Sequence, residues 1–276
     1  MLRLRFATLN MTMKKYIKPI LYLLLIILFV SGTIWTFRFA QRQQAKRVCD
    51  MVRVTINTDS SEVFITENEI IDQLLASKLY PKGQSAGVLN AHAIEDYLLQ
   101  NSAIQAVNVF THLSGEVEIE IMQRQPIVRI ENAQRQQFYI GSDGHLMATN
   151  PNHTAQLIIA NGNISESFVP NRNIIESAEN TDFTTLVLNK IYQLVTFIRN
   201  DDFLNAFIDQ IYVNSKNEFE LIPKIGNQII LLGDAENYED QFKRLQQFYH
   251  HGVRKVGWDA YRIINLKYNN QVIGTK

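Results

Sequence analysis

The sequence predicts an α+β protein: a single N-terminal transmembrane helix, a β-α-α-β-β domain, then a mostly antiparallel β domain with flanking helices. Three observations carry this. Residues 19–37 hold no charged side chain. Between residues 51 and 124, alternating stretches surround two stretches of helical spacing. Beyond Pro126, short apolar runs broken by Gly, Asn and Asp outnumber helical patterns. The predicted divisions are 1–18, a cytoplasmic tail; 19–37, the transmembrane helix; 38–50, a juxtamembrane linker; 51–124, the first soluble domain; and 125–276, the β domain.

The membrane segment is the strongest local signal. Leu21, Leu23, Leu24, Leu25, Ile26, Ile27, Leu28, Phe29 and Val30 fill its centre. Each such residue contributes roughly −0.3 to −0.6 kcal/mol at mid-bilayer. A helix over 19–37 is about long enough for a hydrocarbon core of roughly 30 Å. Tyr22 and Trp35 stand where an interfacial belt wants them. A cleaved signal peptide would have a shorter apolar core and a small-x-small site; here Arg38, Arg42, Lys46 and Arg47 follow instead. Basic residues precede the helix (Arg3, Arg5, Lys14, Lys15, Lys18) in numbers similar to those after it, so the charge bias is small. The short basic leader predicts an inside N-terminus and an outside C-terminal bulk. Met13-Lys14-Lys15-Tyr16 reads as the natural start, with residues 1–12 upstream of it.

Lys and Arg number 27 against 27 Asp and Glu, so no bulk charge draws the chain to nucleic acid. A hydrophobic content of 46% with 12 Gly and 6 Pro argues for a packed core. The one cysteine, Cys49, permits no internal disulfide. It reads as a surface or linker thiol, with a disulfide between anchored chains as the alternative.

In the first soluble domain, Val52, Val54 and Ile56 alternate with Arg53 and Thr55 as a strand. Thr66-Glu67-Asn68-Glu69 is a capping box, followed by Ile70, Ile71, Leu74, Leu75 and Leu79 at helical spacing. A second helix is predicted over Ala91–Gln100, burying Ile94, Tyr97 and Leu98. Val107–Phe110 is a short strand, Ser114-Gly115 a turn, and Glu116–Met122 a strand with Val117, Ile119 and Ile121 on one face.

In the second domain the predicted strands are Ile127–Ile130, Gln137–Ile140, Leu157–Ala160, Ile211–Val213, Phe219–Ile222, Ile229–Leu232 and Ile263–Tyr268, with Val272-Ile273 after Asn269-Asn270. Ser142-Asp143-Gly144 signals a hairpin, since Asp-Gly suits a type I′ turn. Thr181 or Asp182 caps a helix carrying Phe183, Leu186, Val187, Ile191, Leu194, Val195 and Ile198. Gly233-Asp234 opens another, with Tyr238, Phe242, Leu245 and Tyr249 on one stripe.

No residue pattern nominates catalysis, a cofactor or a metal. His92, His112, His145, His153, His250 and His251 form no HExxH or Cys/His set. Adjacent His250 and His251 point about 100° apart on a helix and read as a solvated helix end. Gly141-Ser142-Asp143-Gly144 lacks the spacing of a nucleophile elbow. Glu116, Glu118 and Glu120 read as a solvated strand face. No glycine-rich phosphate loop precedes a helix, and basic residues are not interleaved with aromatics. The expectation is a non-enzyme with no small-molecule substrate and no nucleic-acid partner.

Three stretches together resemble the bacterial division family FtsQ, or DivIB. Residues Leu99 to Val109, continuing to Glu118-Ile119-Glu120-Ile121, are similar to the second half of a POTRA domain. Gln125-Pro126-Ile127-Val128-Arg129, with Phe138 to Leu146, is similar to the family's entry into its β domain. Ile229-Ile230-Leu231-Leu232-Gly233 leads through a helix to Ile264-Asn265-Leu266-Lys267-Tyr268, similar to the family's terminal Asp-Leu-Arg-Tyr strand. Asn265 and Lys267 depart from that pattern, and the usual polar C-terminal extension is nearly absent.

The resemblance implies a non-catalytic scaffold in the inner membrane, N-terminus cytoplasmic and C-terminal domains periplasmic, enriched at the division septum. It implies binding of FtsB/FtsL-like coiled-coil division proteins and control of septal peptidoglycan synthesis. It places partner binding at Ile263, Ile264, Asn265, Leu266, Lys267 and Tyr268 by strand addition. Two other classes compete: a POTRA-bearing polypeptide-binding chaperone or transport module, which usually carries several such units, and a membrane-anchored enzyme with a site outside known motifs.

Overall fold

The computed structural model describes residues 22–36, 38–39, 48–58, 63–85, 88–112, 114–151, 153–177, 185–252, 257–258 and 260–276. The predicted tail 1–18, the start at Met13, most of the linker, and Thr181, Asp182 and Phe183 lie outside them. Residues 22–36 form a helix, α1, whose apolar side chains are exposed, Leu28 at 70% and Phe29 at 73%. Among the described residues, no helix is long and apolar enough to cross a membrane.

The described residues group into two compact units. One draws on Met1–Arg53, Tyr80–Ala91 and Phe110–Glu118; the other comprises Val54–Leu79, His92–Val109 and Ile119–Lys276. Within the first, Arg53 pairs with Glu116 at 2.8 Å and His112 lies 3.0 Å from Glu118. Two of the three expected rim carboxylates are thus paired. Cys49 belongs here and is buried, not a surface thiol. Its backbone holds it: Cys49 N–H donates to the Gln84 carbonyl, and Cys49 O accepts from Gly83 N–H. Burial pushes its thiol pKa up.

The predicted β-α-α-β-β order is present as β1 (Met51–Asn57), α2 (Glu67–Ala76), α3 (Ala91–Leu98), β2 (Ile104–Thr111) and β3 (Glu116–Gln123). The sheet order is β1-β3-β2. The capping box closes both ways: Glu69 N–H donates to Thr66 Oγ1 at 3.3 Å, and Thr66 N–H to Glu69 Oε2 at 3.0 Å. Ile70, Leu74, Ile94 and Leu98 are buried while Tyr97 is half-buried. On β3, Val117, Ile119 and Ile121 are buried, as their alternation requires.

The second domain's elements are β4 (Pro126–Glu131), β5 (Gln137–Gly141), β6 (Leu146–Ala148), β7 (Ile158–Gly162), α4 (Ile174–Ser177), α5 (Thr185–Arg199), α6 (Asp202–Phe207), β8 (Ile208–Val213), β9 (Phe219–Pro223), β10 (Ile229–Gly233), α7 (Tyr238–Gln247), a π turn (Phe248–Gly252), β11 (Ile263–Asn265) and β12 (Ile273–Thr275). They form one sheet of nine strands, ordered β12-β11-β10-β9-β8-β7-β4-β5-β6. Its neighbours are mainly antiparallel, but β4–β7, β7–β8 and β10–β11 run parallel. The parallel pairs arise where a strand returns through a connection too long for a hairpin.

Three local expectations change. The Ser142–Gly144 turn is not type I′, because only Gly144 takes positive φ (+79). The Asp143 carboxylate instead accepts from His145 N–H at 3.2 Å. Helix α6 was not predicted; its six residues are too few to show a period, although Asp201 caps it by accepting from Leu204 N–H at 2.9 Å. Finally, the predicted strand 263–268 stops at Asn265. The core gathers Ile130, Phe138, Ile140 and Ala160 with Leu188, Ile191, Leu194, Leu204, Phe219, Phe242 and Leu245, joining sheet to helices.

Candidate functional site

A sheet presents unpaired backbone groups only at its end strands, so the two ends of the nine-stranded sheet are where another chain can add. The β6 end is covered. Leu146 N–H donates to the Arg172 carbonyl, Asn171 N–H to the Leu146 carbonyl, and Ile174 N–H to the Gly144 carbonyl. Ala148 N–H is taken by Ser102 Oγ at 2.9 Å. At the other end lies β12, and among the described residues no strand pairs with its outer side. Its inner side pairs antiparallel with β11 in the register Ile263↔Thr275, Ile264↔Gly274, Asn265↔Ile273.

This places the six predicted interface residues unequally. β11 has both edges paired, to β10 and to β12, so it is not the outer strand that the sequence suggested. The reason is that the strand expected at Val272-Ile273 forms at Ile273–Thr275 and folds back on β11 as β12. Ile264 and Leu266 are 1% and 0% exposed and belong to the core. Ile263 and Asn265 are half-buried, while Lys267 and Tyr268 are exposed beyond the strand end. Lys267 Nζ lies 2.6 Å from Glu218 Oε2, and this ammonium holds the Glu218 carboxyl below its ordinary value, with Asn214 adding a hydrogen bond.

Helix α7 fixes the segment between β11 and β12. Its apolar stripe, Phe242 and Leu245, is buried, which turns Gln241 and Arg244 toward the chain end. Arg244 donates from Nη1 to the carbonyls of Tyr268 (2.7 Å) and Gln271 (2.6 Å), and from Nη2 to that of Leu266 (3.2 Å). Asp240, one turn earlier, holds its Nε at 2.9 Å. Gln241 Nε2 donates to the carbonyls of Leu232 and Leu266. Orphan carbonyls after a strand end are thereby satisfied by one helix. Glycine at 274 lets the strand pass close to Tyr261: a Cβ there would meet that ring at 2.5 Å. A shallow groove of about 440 Å³, lined by Arg244, Phe248, His251 and Asn270 among others, adjoins this edge.

Sequence reasoning missed Arg244, Gln241 and the outer position of β12. Only the Asp240–Arg244 spacing was a visible signal, and its targets lie more than twenty residues away. Among the described residues no group of His, Cys, Asp or Glu is arranged to hold a metal ion. His250 and His251 are exposed at the end of the π turn.

The arrangement is a small α+β domain followed by a large sheet with one open edge. Two family models cover it: one for the C-terminal related domain of FtsQ/DivIB matches residues 125–275, and one for a POTRA-like domain matches residues 47–122. No curated protein matches the chain. The first match spans more than half of the chain and the two follow each other in the expected order, so the chain belongs to the FtsQ/DivIB family.

Proposed function

We propose that the chain is a non-catalytic scaffold of the division machinery. Residues 19–37 anchor it in the inner membrane, and domains 51–124 and 125–276 stand in the periplasm at the septum. Support for the anchor comes from the charge-free run and from the exposed apolar side chains of α1. The scaffold's partner is a coiled-coil division protein of the FtsB/FtsL kind, and its recruitment controls septal peptidoglycan synthesis.

The observation that carries the partner site is the open outer edge of β12, tied in place by Arg244 while the opposite edge is covered. A partner strand adds along Ile273–Thr275, with main-chain hydrogen bonds supplying affinity. Lys267 and Tyr268 flank that strand and give side-chain selectivity. Ile263 and Asn265 lie one strand inward, and Ile264 and Leu266 act by holding the sheet.

Capture of FtsB/FtsL-type proteins by the full chain in detergent tests this. Ile273→Pro fixes φ away from the extended range and so disrupts β12 as the template for an added strand. It should cut capture at least tenfold while thermal unfolding stays close to wild type, because β12 is outermost. Full capture by that variant sinks the edge assignment. Depletion that leaves cells dividing normally sinks the scaffold reading.

A further inference from the structure

A second concave feature lies away from β12. A cavity of about 660 Å³ opens where β4, β7 and β8 begin, beside the end of α5. That volume falls within the roughly 300–1,000 Å³ of typical small-molecule sites. Three strands, β9, β10 and β11, separate β8 from β12 in the sheet order, so the cavity is independent of the partner edge.

Its lining is unevenly charged. Arg129 comes from β4, Arg199 from the last position of α5 and Lys224 from just after β9; Asp209 is the one carboxylate among the lining residues. The chain as a whole balances 27 cations against 27 anions, so this concentration is local. Arg129 Nη2 donates to Gln137 Oε1 at 2.6 Å, and Lys224 Nζ to the Asn205 carbonyl at 3.0 Å. Both acceptors are neutral. Among the described residues neither cation enters an ion pair. The rest of the wall is largely apolar, including Ile127, Leu157 and the exposed Ile159.

We propose that this cavity binds a small molecule bearing an oxyanion, a phosphate or a carboxylate, with its body against the apolar wall. Guanidinium groups present planar forks that match both oxyanions, and Lys224 adds a mobile point charge. Asp209 opposes the ligand and keeps binding reversible.

Calorimetric titration of the full chain in detergent tests this, with inorganic pyrophosphate and with glutarate as probes. At least one should bind saturably, and added salt should weaken it. Arg129→Gln and Lys224→Gln should each weaken it roughly ten- to hundredfold. Asp209→Asn should tighten it, which a purely structural role for these residues does not foresee. The probe that binds identifies the oxyanion. Failure of both probes to saturate, or an affinity unmoved by Asp209→Asn, overturns the proposal. Partner capture at β12 should be unchanged in all three variants.

Discussion

Arg124→Ala should destabilise the second compact unit by about 3–5 kcal/mol, the cost of breaking a buried charge pair by removing one partner. Arg124 stands in the two-residue link between β3 and β4, with a side chain only 6% exposed. Its Nε donates to Asp143 Oδ2 at 2.9 Å. Its Nη1 donates to the Ser102 carbonyl and to Asn171 Oδ1. Asn171 then donates to the carbonyls of Leu99 and Gln100. One guanidinium therefore joins the end of α3 to the β5–β6 turn. Its stem lies over Gly141, where a Cβ would come within 2.8 Å of Arg124 Cδ. Asp143 is 22% exposed and still accepts from His145 N–H, so solvent and backbone keep part of its charge stabilised. The loss should thus fall at the lower end, about 3 kcal/mol. At roughly 2–4 °C per kcal/mol for a unit of this size, Tm should fall by about 6–12 °C. Thermal and urea unfolding of Arg124→Ala, Asp143→Asn and the double variant give the coupling energy, expected above about 1 kcal/mol. Arg124→Lys, which keeps the charge but not the fork, should lie between wild type and alanine. A loss below about 0.5 kcal/mol for Arg124→Ala, typical of an open surface site, would refute the reasoning.

Two further outcomes are expected. Thr66→Ala removes one half of the capping box and should cost about 1 kcal/mol in urea unfolding, whereas Thr66→Ser should cost much less. Glu166 is buried, with Oε1 accepting from Leu188 N–H and Oε2 unpartnered, and burial raises its pKa. A raised folded-state pKa means that its contribution is fully present below the unfolded value, about pH 4, and is lost as pH rises through the folded value. Glu166→Gln should therefore stabilise the protein at neutral pH and not at pH 4 in a thermal-melt series. An equal effect at both pH values would contradict this assignment.

The sequence by itself determined the local elements. The alternation of Val52, Val54 and Ile56, the Thr66 box, the three apolar positions of β3 and the run Ile229–Leu232 all rest on period and cap chemistry within a few residues, and each stands where it was expected. Element order and spacing sufficed to point to the family. Short elements escaped, because α4 and α6 hold too few residues for a helical period. Tertiary structure alone decided the order of nine strands, the parallel pairs among them and the end that stays open. Those depend on which distant backbones meet, and alternation is the same for an inner and an outer strand. It alone buried Cys49, made Ile273–Thr275 the edge that displaces β11, and aimed Arg244 at three carbonyls. It also gathered Arg129, Arg199 and Lys224 around one cavity. Side-chain type records what a residue can bond; only the folded path of the backbone settles what it reaches.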